Sequence, residues 1–278
     1  MTHIVFDPDA AAAHLDGAMR SGLRLKELPQ DARPRTIREG YATQALLMSR
    51  GGDQVVGWKI AGASPSGLEG ESGALPAIGC LTRSRVLESS AALVVAQDAP
   101  VTLETEIAFR FGRAVFPASE PFDALTMLDA AFVACEVVCS RFVDRQVVGQ
   151  PSFIADNLGF RAFVHGDAVA FTDASEFEDD AGIWLNGRRV ASSLSGDKRV
   201  RPFDSLRFLW SEFESTGRSI QKGDLVTTGT LCVPFDTNHA GDYECRVGDA
   251  TVRFTLDGAV QAFLSGQQKK PFALHCTS

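Results

Sequence analysis

Two glutamates lie two residues apart on one predicted strand, a residue type and spacing that could bind a cation. The run Val101–Gly112 alternates apolar and polar residues with a period of two, which predicts a β-strand. On that strand Glu104 and Glu106 project from the same face. Two neighbouring carboxylates repel each other unless water, a basic group or a bound cation compensates them. For this pair taken alone, a solvated strand face is the simpler interpretation.

A third carboxylate, Glu136, stands inside the apolar run Ala134–Cys139. A lone charge is costly to bury, so a glutamate with apolar neighbours on both sides is expected to have a partner. A structural salt bridge to Arg141 or Arg145 is one interpretation. Three carboxylates from two strands also form the oxygen-rich ligand set that Mg²⁺ or Mn²⁺ prefers, so a metal site is the alternative.

The composition of the 278-residue chain is that of a globular protein, with 45% hydrophobic and 22% charged residues. A formal net charge of -8 argues against a surface that binds nucleic acid or anionic membrane. No apolar run is long enough for a membrane span, and the N-terminal residues lack a secretory pattern, so we expect a cytoplasmic protein. Its scattered cysteines are expected to be reduced thiols: Cys80, Cys135, Cys139, Cys232, Cys245 and Cys276.

Four helices are predicted from capping residues and helical periodicity. Asp7-Pro8 begins the first, and a capping box at Thr36 begins the second. The predicted spans are Ala10–Arg20, Thr36–Gly51, Phe122–Ala134 and Pro202–Ser215.

Strands are predicted along the rest of the chain, with an Asn-Gly turn in one hairpin. Their spans are Val55–Gly62, Ala91–Ala96, Val101–Gly112, Phe160–His165, Ile183–Val190, Gly223–Thr230, Tyr243–Val247 and Ala250–Leu256. Lys59 lies in the first of these strands, before a glycine- and serine-rich loop over Ala63–Gly73 that could act as a lid. This lysine either reaches the surface or contacts an anionic substrate. The polar tail from Ser265 is expected to be frayed.

Five short motifs occur in one order along nearly the whole chain. They are Gly57–Ile60, Leu103–Ala108, Glu136–Arg141, Ala155–Asn157 and Gly223–Thr230. In this order the chain resembles the 2-keto-4-pentenoate hydratase and 4-oxalocrotonate decarboxylase group of the fumarylacetoacetate hydrolase superfamily. The glutamate at position 136, where the hydrolase branch usually has aspartate, is similar to the hydratase and decarboxylase branch.

The resemblance implies an α+β fold, a mixed β-roll with a small helical N-terminal layer. We expect residues 1–85 to form the helical and strand layer that carries the lysine loop, and residues 86–278 to form the catalytic roll. It also implies Mg²⁺ or Mn²⁺ as cofactor, with one set of metal ligands, one catalytic lysine and two residues that contact the substrate. The metal ligands would be Glu104, Glu106 and Glu136. The catalytic lysine would be Lys59, and the residues that contact the substrate would be Asn157 and Thr230.

The activity implied by the resemblance is hydration of a 2-hydroxy-2,4-dienoate to a 4-hydroxy-2-oxo acid, as in aromatic catabolism, by a cytoplasmic homo-oligomer. Two departures affect this expectation. The group usually has small residues including serine after the motif Ala155–Asn157, where this chain has Leu158–Arg161. Hydratases of the group usually carry an acidic residue where this chain has Ala77. The alternatives are therefore decarboxylation of a 2-oxo-3-enedioate, hydrolysis of an acylpyruvate, or a protein that binds metal and keto acid without turnover. Hydrolysis ranks third because no His-Glu pair occurs near the N-terminal layer.

Overall fold

The computed structural model describes residues 5–71, 73–95, 99–172, 175 and 177–258. In chain order its helices are α1 Pro8–Ser21, α2 Ile37–Gly51, α3 Pro65–Leu68, α4 Ala124–Met127, α5 Gly149–Ala155 and α6 Pro202–Thr216. Short 3₁₀ turns occur at Arg83–Arg85, Pro117–Ser119, Asn157–Gly159 and Gly196–Lys198. Within these described residues, no helix is long and apolar enough to span a membrane.

The strands are β1 Val55–Ala61, β2 Ala77–Thr82, β3 Val86–Glu88, β4 Ala91–Val95, β5 Val101–Phe111, β6 Leu128–Val138, β7 Phe160–Val169, β8 Ala181–Leu185, β9 Arg188–Ala191, β10 Leu225–Thr230, β11 Phe235–Thr237, β12 Gly241–Val247 and β13 Ala250–Gly258. They form two sheets. The larger sheet has the order β2-β1-β10-β5-β6-β7-β3, with β11 paired to β5, and the smaller has the order β4-β13-β12-β8-β9. Parallel and antiparallel pairs both occur, as the predicted mixed β-roll requires.

The core lies between the two sheets. Leu103 and Ile107 of β5 belong to the same buried cluster as Ile183 of β8 and Val252 of β13. The opposite face of β5 is covered too, because Ala108 is buried in a second cluster with Phe163 of β7. Glu106, on the same face as Ala108, is 0% exposed, which excludes a solvated strand face as the interpretation of this glutamate, whereas Glu104 is half-buried.

The two N-terminal helices begin as the sequence predicts. The Asp7 side chain accepts hydrogen bonds from the backbone N–H groups of Asp9 and Ala10, at 2.9 and 3.1 Å. Thr36 and Glu39 form the complete capping box of α2. Each helix ends at a glycine in the left-handed region, which supplies the C-cap. The helical N-terminal layer is thereby confirmed.

The helix predicted over Phe122–Ala134 is wrong. Only α4 is helical there, and the chain then enters β6, which pairs with β5 along its length. The helical spacing of Leu125 and Leu128 is coincidental, because Leu125 is 53% exposed. Pairing with a neighbouring strand outweighs the helix propensity of the alanines in this segment.

The other predicted elements are present, with ends shifted by a few residues. The β8–β9 hairpin turns at Asn186 and Gly187, which have φ values of 49° and 80°, as the Asn-Gly pair predicts. Strands from both sides of the predicted boundary at residue 85 lie in the larger sheet. The division into two parts stays a prediction. The predicted frayed tail lies outside the described residues, as does Cys276.

Candidate metal centre

Strand pairing brings the three glutamates together at the middle of the larger sheet. Glu104 of β5 lies directly opposite Glu136 of β6 in the antiparallel register. Glu106 projects from the same face of β5 two residues later. One carboxylate oxygen from each of the three lies within 4.8 Å of the other two. Glu106 and Glu136 are 0% and 1% exposed, and Glu104 is half-buried.

Strand β10 fixes the carboxylate of Glu106. The Thr227 hydroxyl donates to Oε2 of Glu106, and the backbone N–H of Gly229 donates to the same oxygen at 2.9 Å. The register between β10 and β5 shifts between Thr227 and Thr230, and Gly229 adopts a φ of 100° in this irregular stretch. Any residue other than glycine would be strained at position 229, because this backbone conformation favours glycine. The bulge therefore aims an N–H group at Glu106.

Burial and mutual repulsion make the ionised glutamates costly in the absence of a cation. Burial is the largest cause that raises the pKa of Glu106 well above its ordinary value, and the charges of Glu136 and Glu104 add to it. Burial also raises the pKa of Glu136 to about 7, although the charge of Lys59 opposes this increase. A divalent cation placed among these oxygens would remove both penalties.

Lys59 is the basic partner of Glu136. The lysine is 2% exposed on β1, and its Nζ forms an ion pair with Oε1 of Glu136. Nζ also donates to the backbone oxygen of Leu158 at 3.4 Å. Neither Arg141 nor Arg145 pairs with Glu136 through a salt bridge, so both of those expected partners are wrong. The structure also excludes a surface position for Lys59.

Gly79 makes room for the lysine side chain. It lies opposite Lys59 in the antiparallel pair of β1 and β2. A Cβ atom at position 79 would approach Cγ of Lys59 to 2.7 Å and Oδ1 of Asn157 to 3.2 Å. A glycine inside a strand commonly marks such a close approach, and this signal was available in the sequence.

The donor set fits a hard divalent cation. All three groups are carboxylates, the ligands that Mg²⁺ prefers. Oε1 of Glu106 is buried and has no hydrogen-bond partner among the described residues, although a buried charged oxygen normally has one. Mg²⁺ or Mn²⁺ held by Glu104, Glu106 and Glu136 would supply the missing partner.

Asn157 and Thr230, the two predicted substrate contacts, use their side chains within the protein. The Asn157 amide accepts from the backbone N–H of Cys80 at 2.7 Å and donates to the Cys80 carbonyl at 2.9 Å. The Thr230 hydroxyl donates to the Cys232 carbonyl at 2.8 Å. Asn157 therefore ties the turn at Leu158 to β2. A direct contact of either side chain with substrate stays a prediction.

A buried network that the sequence did not predict supports the end of β6. Asp156 is fully buried and accepts hydrogen bonds from the Ser140 hydroxyl at 2.7 Å and from the Arg141 backbone N–H at 3.0 Å. Its other carboxylate oxygen pairs with the Arg141 guanidinium at 2.7 Å. The following residues, Asn157 and Leu158, both have positive φ values, at 51° and 54°. This turn directs the Leu158 carbonyl toward Lys59.

Solved structures of other proteins share this architecture. The chain has a TM-score of 0.75 and 18% identity with 4-oxalocrotonate decarboxylase from Pseudomonas putida G7 complexed with magnesium and adipate, over 90% of this chain and 97% of that one. The complex of the same decarboxylase with calcium and acetate gives a TM-score of 0.74 at 18% identity and the same coverage. A 2-hydroxyhepta-2,4-diene-1,7-dioate isomerase from Mycobacterium marinum gives 0.51 at 15% identity, over 74% of this chain and 77% of that one.

No protein-family model and no curated protein sequence matches the chain. The structural similarity to the decarboxylase covers 90% of this chain. The fold that the sequence resemblance predicts is thereby confirmed: the chain shares the α+β fold of the decarboxylase and, in part, of the isomerase.

Proposed function

We propose that the protein is a divalent-metal-dependent lyase that removes CO₂ from a 2-oxo-3-enedioate. The observation that supports the proposal is the convergence of Glu104, Glu106 and Glu136 beside the buried Lys59. Two buried carboxylates and one half-buried carboxylate, with one buried ammonium group, leave an excess of negative charge when ionised. A divalent cation that chelates a 2-oxo acid fits that excess.

The glutamates would hold Mg²⁺ or Mn²⁺, and the bound ion would stabilise the negative charge that develops on the 2-oxo oxygen of the substrate. Hydrogen bonds from Thr227 and Gly229 hold the Glu106 carboxylate in position for this role. Glu106 and Glu136 are 0% and 1% exposed, so water is excluded from this side of the site.

The reaction balances with one proton. The C–C bond to the distal carboxylate breaks, and its electron pair moves through the conjugated C=C bond to the 2-oxo oxygen. CO₂ leaves, and one proton converts the dienolate to 2-hydroxypenta-2,4-dienoate. Lys59 is the proton donor in this proposal, because its Nζ is buried beside the site and has one carboxylate and one carbonyl for neighbours.

The surroundings of Ala77 favour decarboxylation over hydration. Ala77 is 2% exposed and packs with Ile154 and Leu158 in a small apolar cluster. Addition of water needs a group that activates it, and the acidic residue that hydratases of the resembled group usually carry is absent at this position. Loss of CO₂ needs no such group.

Hydration of a 2-hydroxy-2,4-dienoate is the second candidate. It uses the same three glutamates and the same 2-oxygen, and the glutamate at position 136 is equally compatible with it. The half-buried Glu104 borders the part of the site that water reaches. Both reactions belong to the lyase class, and a single assay separates them.

The test uses EDTA-treated protein with freshly prepared 2-oxohex-3-enedioate or, in a parallel reaction, 2-hydroxypenta-2,4-dienoate, each with and without Mg²⁺ or Mn²⁺. From 2-oxohex-3-enedioate we expect metal-dependent CO₂ release with formation of the dienol ultraviolet band. Loss of that band with 4-hydroxy-2-oxopentanoate as product identifies the hydratase instead. Metal binding without turnover of either substrate contradicts both reactions and identifies a binding protein.

A further inference from the structure

A cavity apart from the metal centre is lined by four arginines that come from four places in the fold. They are Arg24 after α1, Arg85 at the end of a 3₁₀ turn, Arg141 after β6 and Arg161 on β7. The cavity has a volume of about 130 Å³, whereas one water needs only about 10–15 Å³ of such space. Within the described residues, its lining includes neither Lys59 nor any acidic side chain. In a chain with a net charge of -8, the cavity is a local excess of positive charge.

Two of these arginines donate to a weak acceptor. Nη2 of Arg85 and Nη2 of Arg141 both contact the thioether sulfur of Met19, at 2.7 and 3.4 Å. Because both groups contact one atom, the two guanidinium groups are close neighbours. Like charges at such short range repel each other, and a thioether sulfur is a poor partner for a cation. Asp156 compensates the charge of Arg141, at 2.7 Å, from outside the cavity lining.

The other two arginines leave donors unused. Arg161 is half-buried, and its side chain forms no hydrogen bond or ion pair with any residue that the structure describes. Arg24 donates from Nη2 to two backbone carbonyls at 2.5 and 3.0 Å, but its Nε is buried and has no partner in the same part of the chain. Buried N–H groups are normally satisfied, so both arginines lack an acceptor that this site would be expected to supply.

The arginines converge on one side chain of the cavity wall, the half-buried thiol of Cys139. Burial has the largest effect on the pKa of this thiol and raises it, whereas the charges of Arg161, Arg24 and Arg141 act in the opposite direction. Three guanidinium groups are therefore close enough to act on a single atom.

The rest of the wall is apolar. Val95, Val101 and Phe160 are 4%, 2% and 1% exposed, while Leu23 at the rim is 72% exposed. An anion in this cavity would therefore be held among apolar side chains, where its attraction to the guanidinium groups is stronger than in bulk water.

We infer that the cavity binds a phosphate group, either as free phosphate or as the end of a small phosphorylated compound. The guanidinium groups come from four elements, so the ligand must offer oxygens in several directions. A tetrahedral phosphate does so, whereas the two oxygens of a carboxylate match one planar guanidinium. Two negative charges also suit a cavity in which Asp156 already compensates Arg141. Arg161 lies in the segment Leu158–Arg161, where the chain departs from the resembled group, so the resemblance does not account for this arginine.

The experiment is calorimetric titration of the full-length protein with inorganic phosphate at pH 8 and constant ionic strength, where phosphate carries close to two negative charges. It is done with Mg²⁺-loaded protein and with protein treated with EDTA and dialysed. Methyl phosphate and acetate are then titrated in the same way. No 2-oxo acid is present, so the result is independent of the proposed lyase activity.

The variants are Arg161→Gln, Arg161→Lys, Arg145→Gln and Lys59→Met. Arg145→Gln is the matched control, because Arg145 is also half-buried but lies outside the cavity lining. Lys59→Met tests whether phosphate binds at the metal centre instead. Arg161 makes no hydrogen bond within the described residues, so Arg161→Gln should keep the wild-type Tm when phosphate is absent.

We expect one phosphate per chain, bound with equal affinity with or without Mg²⁺ and in Lys59→Met. Arg161→Gln should weaken this binding by about 10- to 100-fold, because one charge-assisted contact is lost. Arg161→Lys should weaken it less, since lysine keeps the charge but not the planar fork, and Arg145→Gln should match wild type. Methyl phosphate that binds as tightly as phosphate would identify a phosphorylated compound as the ligand, and its exclusion would identify free phosphate.

The inference would be overturned by the absence of phosphate binding or by an unchanged affinity in Arg161→Gln. Loss of binding in Lys59→Met would place the anion at the metal centre and would overturn it too. Acetate that binds as tightly as phosphate would assign the cavity to carboxylates and contradict the phosphate class. Each of these results leaves the proposed lyase function as it stands.

Discussion

Replacement of Glu106 by glutamine should stabilise the metal-free protein and abolish its response to metal. In the metal-free protein, burial and two neighbouring carboxylates disfavour the ionised form of Glu106. A glutamine keeps the acceptor that receives hydrogen bonds from Thr227 and Gly229. Its amide would replace Oε1, the oxygen without a hydrogen-bond partner among the described residues, and would donate to the other glutamates.

The two expected effects have opposite signs. Removal of an unsatisfied buried charge is worth about 1–3 kcal/mol, which for a chain of this size is a rise in Tm of roughly 2–8 °C. Metal at about 100 times its Kd stabilises wild type by about 2.7 kcal/mol. The variant lacks one anionic ligand and should lose nearly all of that gain at the same metal concentration.

The assay is thermal unfolding of EDTA-treated protein at pH 8, with and without Mg²⁺, together with calorimetric titration of Mg²⁺. Glu212→Gln is the control, because Glu212 is an exposed glutamate on α6. A metal-free Tm below that of wild type, together with a retained Mg²⁺ response, would refute the assignment of Glu106 as a ligand. The control should leave both quantities unchanged.

Three further outcomes are expected. Lys59→Met should lower kcat by about 10²-fold or more, because the proposed proton donor is lost. Its Mg²⁺ affinity should stay at or above the wild-type value, because Glu136 loses the ammonium group that competes with the metal. A wild-type kcat would remove the lysine from the mechanism. Gly79→Ala should displace the Lys59 side chain and lower kcat with metal affinity retained, and an unchanged kcat would show that the close approach is unimportant. The unfolding free energy of the metal-free protein should fall by about 3 kcal/mol as pH rises from 4.5 through about 7, because the raised pKa of Glu136 favours folding only while the carboxyl group is protonated. Chemical denaturation across that range measures the fall, and Mg²⁺ should reduce it. A flat profile would contradict the conclusion that the cost of burying Glu136 outweighs its pairing with Lys59.

The alternation around Glu104 and Glu106 was enough to predict a strand with both carboxylates on one face. The isolated charge at Glu136 likewise predicted a buried partner. Sequence spacing could not identify that partner. Lys59 is far away in the chain and reaches Glu136 because β10 pairs with both β1 and β5. Long-range strand order of this kind leaves no local periodicity to detect.

The residues that orient the site were harder to predict than the residues that form it. In the sequence, Thr227 and Gly229 look like the end of an ordinary strand. The bulge that directs them toward Glu106 arises from the pairing of β10 with β5, which local sequence does not show. Asp156 belonged to a recognised motif, but its pairing with Arg141 depends on the turn that follows. Local propensity misassigned Phe122–Ala134 because it does not account for the pairing of β6 with β5. The oligomeric state and the two-part division stay predictions.

Strand β10 has a consequence for how the site assembles during folding. It contributes hydrogen bonds to Glu106 from residues more than a hundred positions later in the chain, and it separates the lysine strand from the glutamate strands. Closing such long loops is slow, so the centre can form only after most of the larger sheet has paired. A partly synthesised chain would therefore expose its glutamates without the arrangement that captures a cation, and metal uptake would mark completion of the fold.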